Sequence, residues 1–220
     1  MTGKKRLLYG IFVLIEVGIY AAFVIPDAMG TGNTALIKYV GIVLCFAFSL
    51  FAHTTLRQKF TLFALLFTVG ADFFLVILGN PREMGVLLFI VVQLFHYLRI
   101  HVGNGNRIPL LIVRGIITLC CVALVFILKI VSPVNILTAV YFPQLVMNLI
   151  DSIIKNDRTV GSILLSVGLL LFIGCDVCVG LSNLIYSPAA SFLIWVFYLP
   201  SQVLICLSAA LDKGVSNEKK

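Results

Sequence analysis

Thr68-Val-Gly-Ala-Asp72-Phe-Phe-Leu-Val76 and Phe172-Ile-Gly-Cys-Asp176-Val-Cys-Val179 decide how this chain is read. Each sets one aspartate in a long apolar run, with a glycine two residues before it. A carboxyl at bilayer depth costs on the order of 3 kcal/mol to insert, so it needs a partner, a proton or a cavity. Two of them in matching surroundings mark where chemistry is expected.

The runs around them fill the chain. Its 220 residues are 61% hydrophobic and 11% charged, with a mean hydropathy of +1.13. A soluble domain carries about 25% charged residues, so this is a polytopic membrane protein with no room for a soluble domain. The net charge of +7 does not point to nucleic acid, because the charges punctuate apolar segments instead of lining one face.

A span takes about 20 apolar residues. The pattern predicts eight, over 6–25, 35–53, 60–79, 84–101, 108–130, 133–151, 160–182 and 189–211. Turn residues divide them, including Pro26-Asp27, Gly79-Asn80-Pro81, Gly103-Asn-Gly-Asn106, Asn156-Asp157 and Ser187-Pro188. The expected fold is all-α, a bundle of eight transmembrane helices over residues 1–212, with a short cytoplasmic tail at 213–220. Of the 16 Lys and Arg, only Lys38, Arg82 and Lys129 fall on one side, so both termini are expected in the cytoplasm. The first run is too long for a signal peptide and lacks a cleavage site, so it reads as an uncleaved span. Small size and the lack of a targeting signal point to a bacterial plasma membrane, with an internal eukaryotic membrane as the alternative. The six cysteines all fall inside spans, where no disulfide is expected.

The third and seventh spans share Gly-x-Asp. The fourth and eighth each carry a glutamine near aromatics, in Gln93-Leu-Phe-His96-Tyr97 and Tyr198-Leu-Pro-Ser-Gln202. Two parallel four-helix repeats would produce this pattern, as would chance likeness between apolar helices. Under the first reading both aspartates lie at similar depth.

Two carboxyls in one dry cavity resist ionising together, and one keeps its proton while the other is charged. That division of labour serves acid–base hydrolysis. The bland alternative is that each bonds a Ser, Thr or Tyr on a neighbouring helix, or binds an ion. Gln93, His96 and Tyr97 share one helix face at i, i+3, i+4, which suits a cavity lining or a plain helix contact. Tyr198 and Gln202 flank Pro200, which frees a backbone carbonyl. Tyr141, Pro143 and Gln144 look similar, and Asn148 and Asp151 extend their face. Glu16 is alone on the first span, at the wrong depth to reach Lys38. Lys38 reads as a snorkelling boundary residue or a contact for a lipid phosphate. Cys175 and Cys178 have metal-ligand spacing, but there is no second pair, and only His53, His96 and His101 could add imidazoles. No metal and no cofactor are expected.

Lys38 opening the second span, Gly70-Ala-Asp72-Phe-Phe-Leu-Val with Gly85 and Phe89, Tyr141 with Met147, Gly168 to Asp176, and Tyr198-Leu-Pro-Ser-Gln202 form an ordered set. That set resembles the YhhN family of eight-span proteins, which includes the TMEM86 lysoplasmalogenases. It departs from the family at Ala71, where the family has Gly-Asp. It departs also at Cys175, in place of a serine, and at Gln93, in place of a histidine for which His96 could substitute. The resemblance implies hydrolysis of the vinyl-ether bond of lysoplasmalogens to a fatty aldehyde and glycerophospho-ethanolamine or -choline. Asp72 and Asp176 would be the catalytic pair. Lys38, Gln93, His96, Tyr141, Tyr198 and Gln202 would line the lipid site. A small ion- or proton-coupled transporter, or a catalytically silent lipid-binding relative, would use the same residues differently. Dependence on an ion gradient separates the transporter from a hydrolase.

Overall fold

The computed structural model describes residues 3–51, 54–103, 108–155, 158–185 and 187–212. His53, Arg107, the Asn156-Asp157 break and the expected tail 213–220 lie outside the described residues. The helices are α1 (Gly3–Met29), α2 (Ala35–Ser49), α3 (Leu56–Asp72), α4 (Arg82–Ile100), α5 (Ile108–Ile127), α6 (Pro133–Ile154), α7 (Val160–Ile185) and α8 (Pro188–Ala210). No strand occurs among the described residues. Seven helices are long and apolar enough to cross a membrane, and α2 is a shorter apolar helix. The chain is a polytopic helical membrane protein.

Several boundaries differ from the sequence reading by up to four residues: α1 continues through Pro26-Asp27 to Met29, and α3 begins at Leu56 instead of residue 60. Two differences matter most. The second span was expected to reach residue 53, but α2 ends at Ser49. The Ser49 hydroxyl bonds the Phe46 carbonyl at 2.6 Å, and the chain then tightens, with Leu50 N–H bonding Ala47 O at 3.2 Å and Phe51 N–H bonding Phe48 O at 3.1 Å. Thr55 and Gln58 then cap α3 reciprocally, each side chain bonding the other's backbone N–H at 3.2 and 3.0 Å. At ~1.5 Å per residue α2 is roughly 22 Å long, short of the ~30 Å hydrocarbon core. The second difference follows Asp72 directly. Residues Phe73–Leu78 widen into π-helical turns before Gly79 ends the helix at φ +69°, a conformation that glycine adopts without strain.

Cross-helix bonds fix the direction of each helix. Tyr9 Oη donates to the Ala210 carbonyl at 3.1 Å, and Gln58 Nε2 to the Ala209 carbonyl at 3.0 Å. The starts of α1 and α3 and the end of α8 therefore share one face of the bundle, called here the terminal face. Ser152 and Ser166 meet at 3.0 Å, adding the end of α6 and the start of α7 to that side.

Packing runs α1 on α2, α2 on α3 and α3 on α4, and again α5 on α6, α6 on α7 and α7 on α8. The cross-contacts α4 on α6 and α2 on α8 correspond to each other if the halves are exchanged. The contacts of α8 with α1 and α3 have no counterpart among the described residues, so the halves meet unequally. Among the described residues α5 packs chiefly on α6, with Arg114 reaching Tyr97 of α4, and it turns Leu119 and Ile127 outward. Lipid is as apolar as those side chains, so the bundle is held by close packing and polar bonds, not by expulsion of water.

Close packing is tightest between α7 and α8. A Cβ on Gly161 would lie 2.8 Å from the Ser208 carbonyl, and one on Gly168 would lie 3.1 Å from the Ser201 carbonyl. A side chain at either position would push the two backbones apart, so glycine sets this close approach. In α8, Pro200 cannot donate to the Val196 carbonyl, and Tyr20 Oη of α1 takes that acceptor at 3.3 Å. Glu16 is buried against the Cys45 thiol at 3.5 Å, while Lys38 pairs with Asp27 at 2.6 Å, so the two are not partners.

Candidate active site

Each aspartate is bound by a tyrosine hydroxyl from another helix. Tyr198 Oη of α8 donates to Asp72 Oδ2 at 2.7 Å, and Tyr141 Oη of α6 donates to Asp176 Oδ2 at 2.6 Å. Asp72, Tyr141 and Tyr198 are buried, and Asp176 is partly open. The first bond crosses between the halves of the bundle and the second stays within one half.

Aromatic rings join the two pairs. Phe89 packs against Tyr141 at 5.7 Å and Tyr198 at 6.5 Å between centroids, and Phe172 packs against the same two at 6.5 and 5.6 Å. Phe89 and Phe172 meet edge to face at 5.6 Å. Cys175 lies within electrostatic reach of both carboxyls. Both Asp–Tyr pairs thus join one four-ring cluster in the core of the bundle, to which Tyr141 and Tyr198 each contribute a ring. Ring faces attract positive charge, so the cluster suits a reaction in which a cation develops between two acids.

The cluster continues toward the opposite face. Trp195 stands edge to face on Tyr198 at 5.3 Å, and Lys38 Nζ lies 5.1 Å above the Trp195 ring and 5.7 Å from Phe23. Asp27, Thr34, Lys38, Leu75, Val76 and Trp195 border a cleft of about 430 Å³. Lys38 is held at its edge by Asp27, whose other oxygen accepts from Thr34 at 2.6 Å. The π-helical turns carry Leu75 and Val76 from beside Asp72 to the wall of this cleft.

The remaining candidates lie elsewhere. Gln93 Oε1 accepts from Asn148 Nδ2 at 3.0 Å. Gln202 Nε2 donates to Ser201 Oγ at 3.3 Å, within its own helix. His96 is buried, and its Nδ1 has no hydrogen-bond partner among the described residues. No hydrogen bond among the described residues joins these three to either carboxyl. The stripe of Gln93, His96 and Tyr97 is divided between neighbours. Gln93 and Tyr97 turn to α6 and α5, where the Arg114 guanidinium lies 4.6 Å from the Tyr97 ring.

The Lys and Arg bias counts Arg114 with the cytoplasmic charges, but it is buried inside the bundle. It donates to Gln144 at 3.1 Å, Asn148 at 2.9 Å and Asp151 at 2.6 Å. His101 approaches the same Asp151 oxygen at 3.5 Å. The polar face of α6 thus divides in two: Tyr141 serves Asp176, and Gln144, Asn148 and Asp151 serve Arg114. Trp195 and the Lys38–Asp27 pair were also missed. The signal for that pair was available, since Asp27 and Lys38 bracket the turn between the first two spans. Cys175 and Cys178 are both buried, and among the described residues no three His, Cys, Asp or Glu side chains are grouped to hold a metal ion.

No curated protein and no solved structure matches the chain. The YhhN family matches residues 33–209, which takes in Lys38, both aspartates and both tyrosines. Over that length and with that ordered set in place, the chain belongs to the YhhN family.

Proposed function

We propose that this protein is an intramembrane hydrolase that cleaves the vinyl-ether bond of lysoplasmalogens, with Asp72 and Asp176 as its acid–base pair. The observation that carries the reading is the pairing of each aspartate with a tyrosine whose ring packs into one shared aromatic cluster. Family membership supports it at the level of lysoplasmalogenase-like proteins.

The chemistry follows from the parts. One carboxyl gives its proton to the second carbon of the alkenyl chain, and the vinyl π bond supplies the electrons of the new C–H bond. Positive charge then develops on the ether-bearing carbon and its oxygen, between the ring faces and the second carboxylate. That carboxylate takes a proton from water as the water oxygen bonds to the charged carbon. The resulting hemiacetal breaks its bond to the glycerol oxygen, which takes the proton that the second carboxyl gained from water, while the hemiacetal hydroxyl returns a proton to the first carboxylate and the fatty aldehyde leaves. No electrons are exchanged with a cofactor. Lys38, at the edge of the cleft, would hold the headgroup phosphate while the alkenyl chain enters beside Leu75 and Trp195. Tyr141 and Tyr198 hold the carboxyls. Gln93, His96 and Gln202 take outlying supporting roles in this reading.

In the cell, the proposed location is a bacterial plasma membrane with the terminal face in the cytoplasm, on the strength of the Lys and Arg bias. The test is aldehyde release from lysoplasmenyl-ethanolamine by the purified protein, beside Asp72→Asn and Asp176→Asn. Release by wild type alone is expected. Equal release by either variant sinks the paired-acid mechanism. No release by folded wild type sinks the hydrolase reading itself.

A further inference from the structure

At the terminal face, remote from the aspartates, a second cleft opens where α3, α4, α6, α7 and α8 begin or end. Its volume is about 40 Å³, and Arg57, Arg99, Lys155, Thr159, Ser162 and Asp212 border it. That is room for about three water-sized centres, comparable to one phosphate group. Among the described residues that border it are three cations and one carboxylate. Arg57 is engaged, with Nη1 3.9 Å from Asp212.

Arg99 is different. It is 3% exposed, and its Nη1 meets no hydrogen-bond partner among the described residues. Burying a guanidinium without an acceptor is costly, and an anion in the cleft would supply one. The start of α7 adds to the attraction, because the open N–H groups of a helix's first turn favour negative charge. Thr159 and Ser162 stand there, with Thr159 Oγ1 accepting from Ser162 N–H at 3.2 Å.

We infer that this cleft binds a phosphate-class anion, with Arg99 and Lys155 as its main ligands. The same chemistry belongs to inorganic phosphate and to the headgroup of an anionic phospholipid at that membrane surface. Bound there, the anion would tie together helix ends from both halves of the bundle. Nothing in the vinyl-ether reading requires this site.

The experiment follows thermal unfolding of the full chain in maltoside micelles, which contain no phosphate. Inorganic phosphate is titrated in one arm and phosphatidylglycerol in the other, with chloride at matched ionic strength as control. One or both probes are expected to raise the unfolding midpoint beyond the chloride control. Protection by phosphate identifies a soluble anion, and protection by the lipid alone identifies a headgroup. Arg99→Gln and Lys155→Gln should each weaken the response roughly tenfold, the scale of one charge-assisted hydrogen bond. Lys155 is exposed, so its variant reads out binding even where loss of Arg99 harms folding. Failure of both probes to exceed chloride, or an undiminished response in Lys155→Gln and a folded Arg99→Gln, overturns the assignment.

Discussion

Tyr198→Phe removes one hydroxyl and leaves the ring. The hydroxyl lies 2.7 Å from Asp72, while the ring keeps Phe172 at 5.6 Å and Trp195 at 5.3 Å. The variant therefore isolates the hydrogen bond from the packing. A hydrogen bond to a charged partner contributes about 1.5–3 kcal/mol. Taking about 2 kcal/mol, realised in the transition state, the expected loss in kcat/KM is roughly 30-fold. Aldehyde release coupled to an NADH-dependent alcohol dehydrogenase measures it continuously. Because the tyrosine acts through Asp72, adding Tyr198→Phe to Asp72→Asn should change nothing further in activity or in lipid binding. A Tyr198→Phe enzyme within about threefold of wild type, less than ~1 kcal/mol, would refute the claim that this bond organises the site. So would a loss on residual activity that simply adds to that of Asp72→Asn.

Four further outcomes are expected. Lys38→Gln should raise KM roughly tenfold for the phosphate-bearing lipid, the scale of one charge-assisted hydrogen bond, with kcat little changed; a fall in kcat alone would place Lys38 in the chemistry instead. Gln93→His should hold or raise activity, since an imidazole nitrogen can accept from Asn148 as the amide oxygen does now, and a large loss would mean that His96 fills the family position. Arg114→Met strands Asp151 inside the bundle and should cost about 3–5 kcal/mol, read as a fall of roughly 10 °C in unfolding midpoint; an unchanged midpoint would mean that Asp151 is solvated. EDTA should leave aldehyde release intact, and inhibition reversed by added zinc would point to a metal-dependent reaction.

The sequence exposed the aspartates because bilayer energetics makes any lone carboxyl conspicuous. Tyr141 and Tyr198 were legible as polar groups beside prolines in apolar helices. Their partners were not. Residue spacing tells which side chains share a face of one helix, but not which neighbour that face meets. Tyr141 reaches the next helix in sequence and Tyr198 reaches across the bundle. Arg114 was misjudged for a related reason. Six residues into an apolar helix, it could snorkel or pair, and only the position of α6 decides. The π-helical turns after Asp72 leave no trace in a run of Phe, Leu, Val and Ile, because each of those residues accepts either winding.

The glycine contacts of α7 bear on how a lipid reaches the acids. The backbones of α7 and α8 approach so closely at Gly161 and Gly168 that this seam of the bundle is filled over the depth of those contacts. An alkyl chain cannot slip between two backbones that leave no room for a methyl group. Under the hydrolase reading a lipid would enter on another flank, and the wound-out turns bearing Leu75 and Val76 border the cleft at Lys38. That close-packed pair carries Asp176 on α7 and Tyr198 on α8, so one member of each acid–tyrosine pair sits on two adjoining helices.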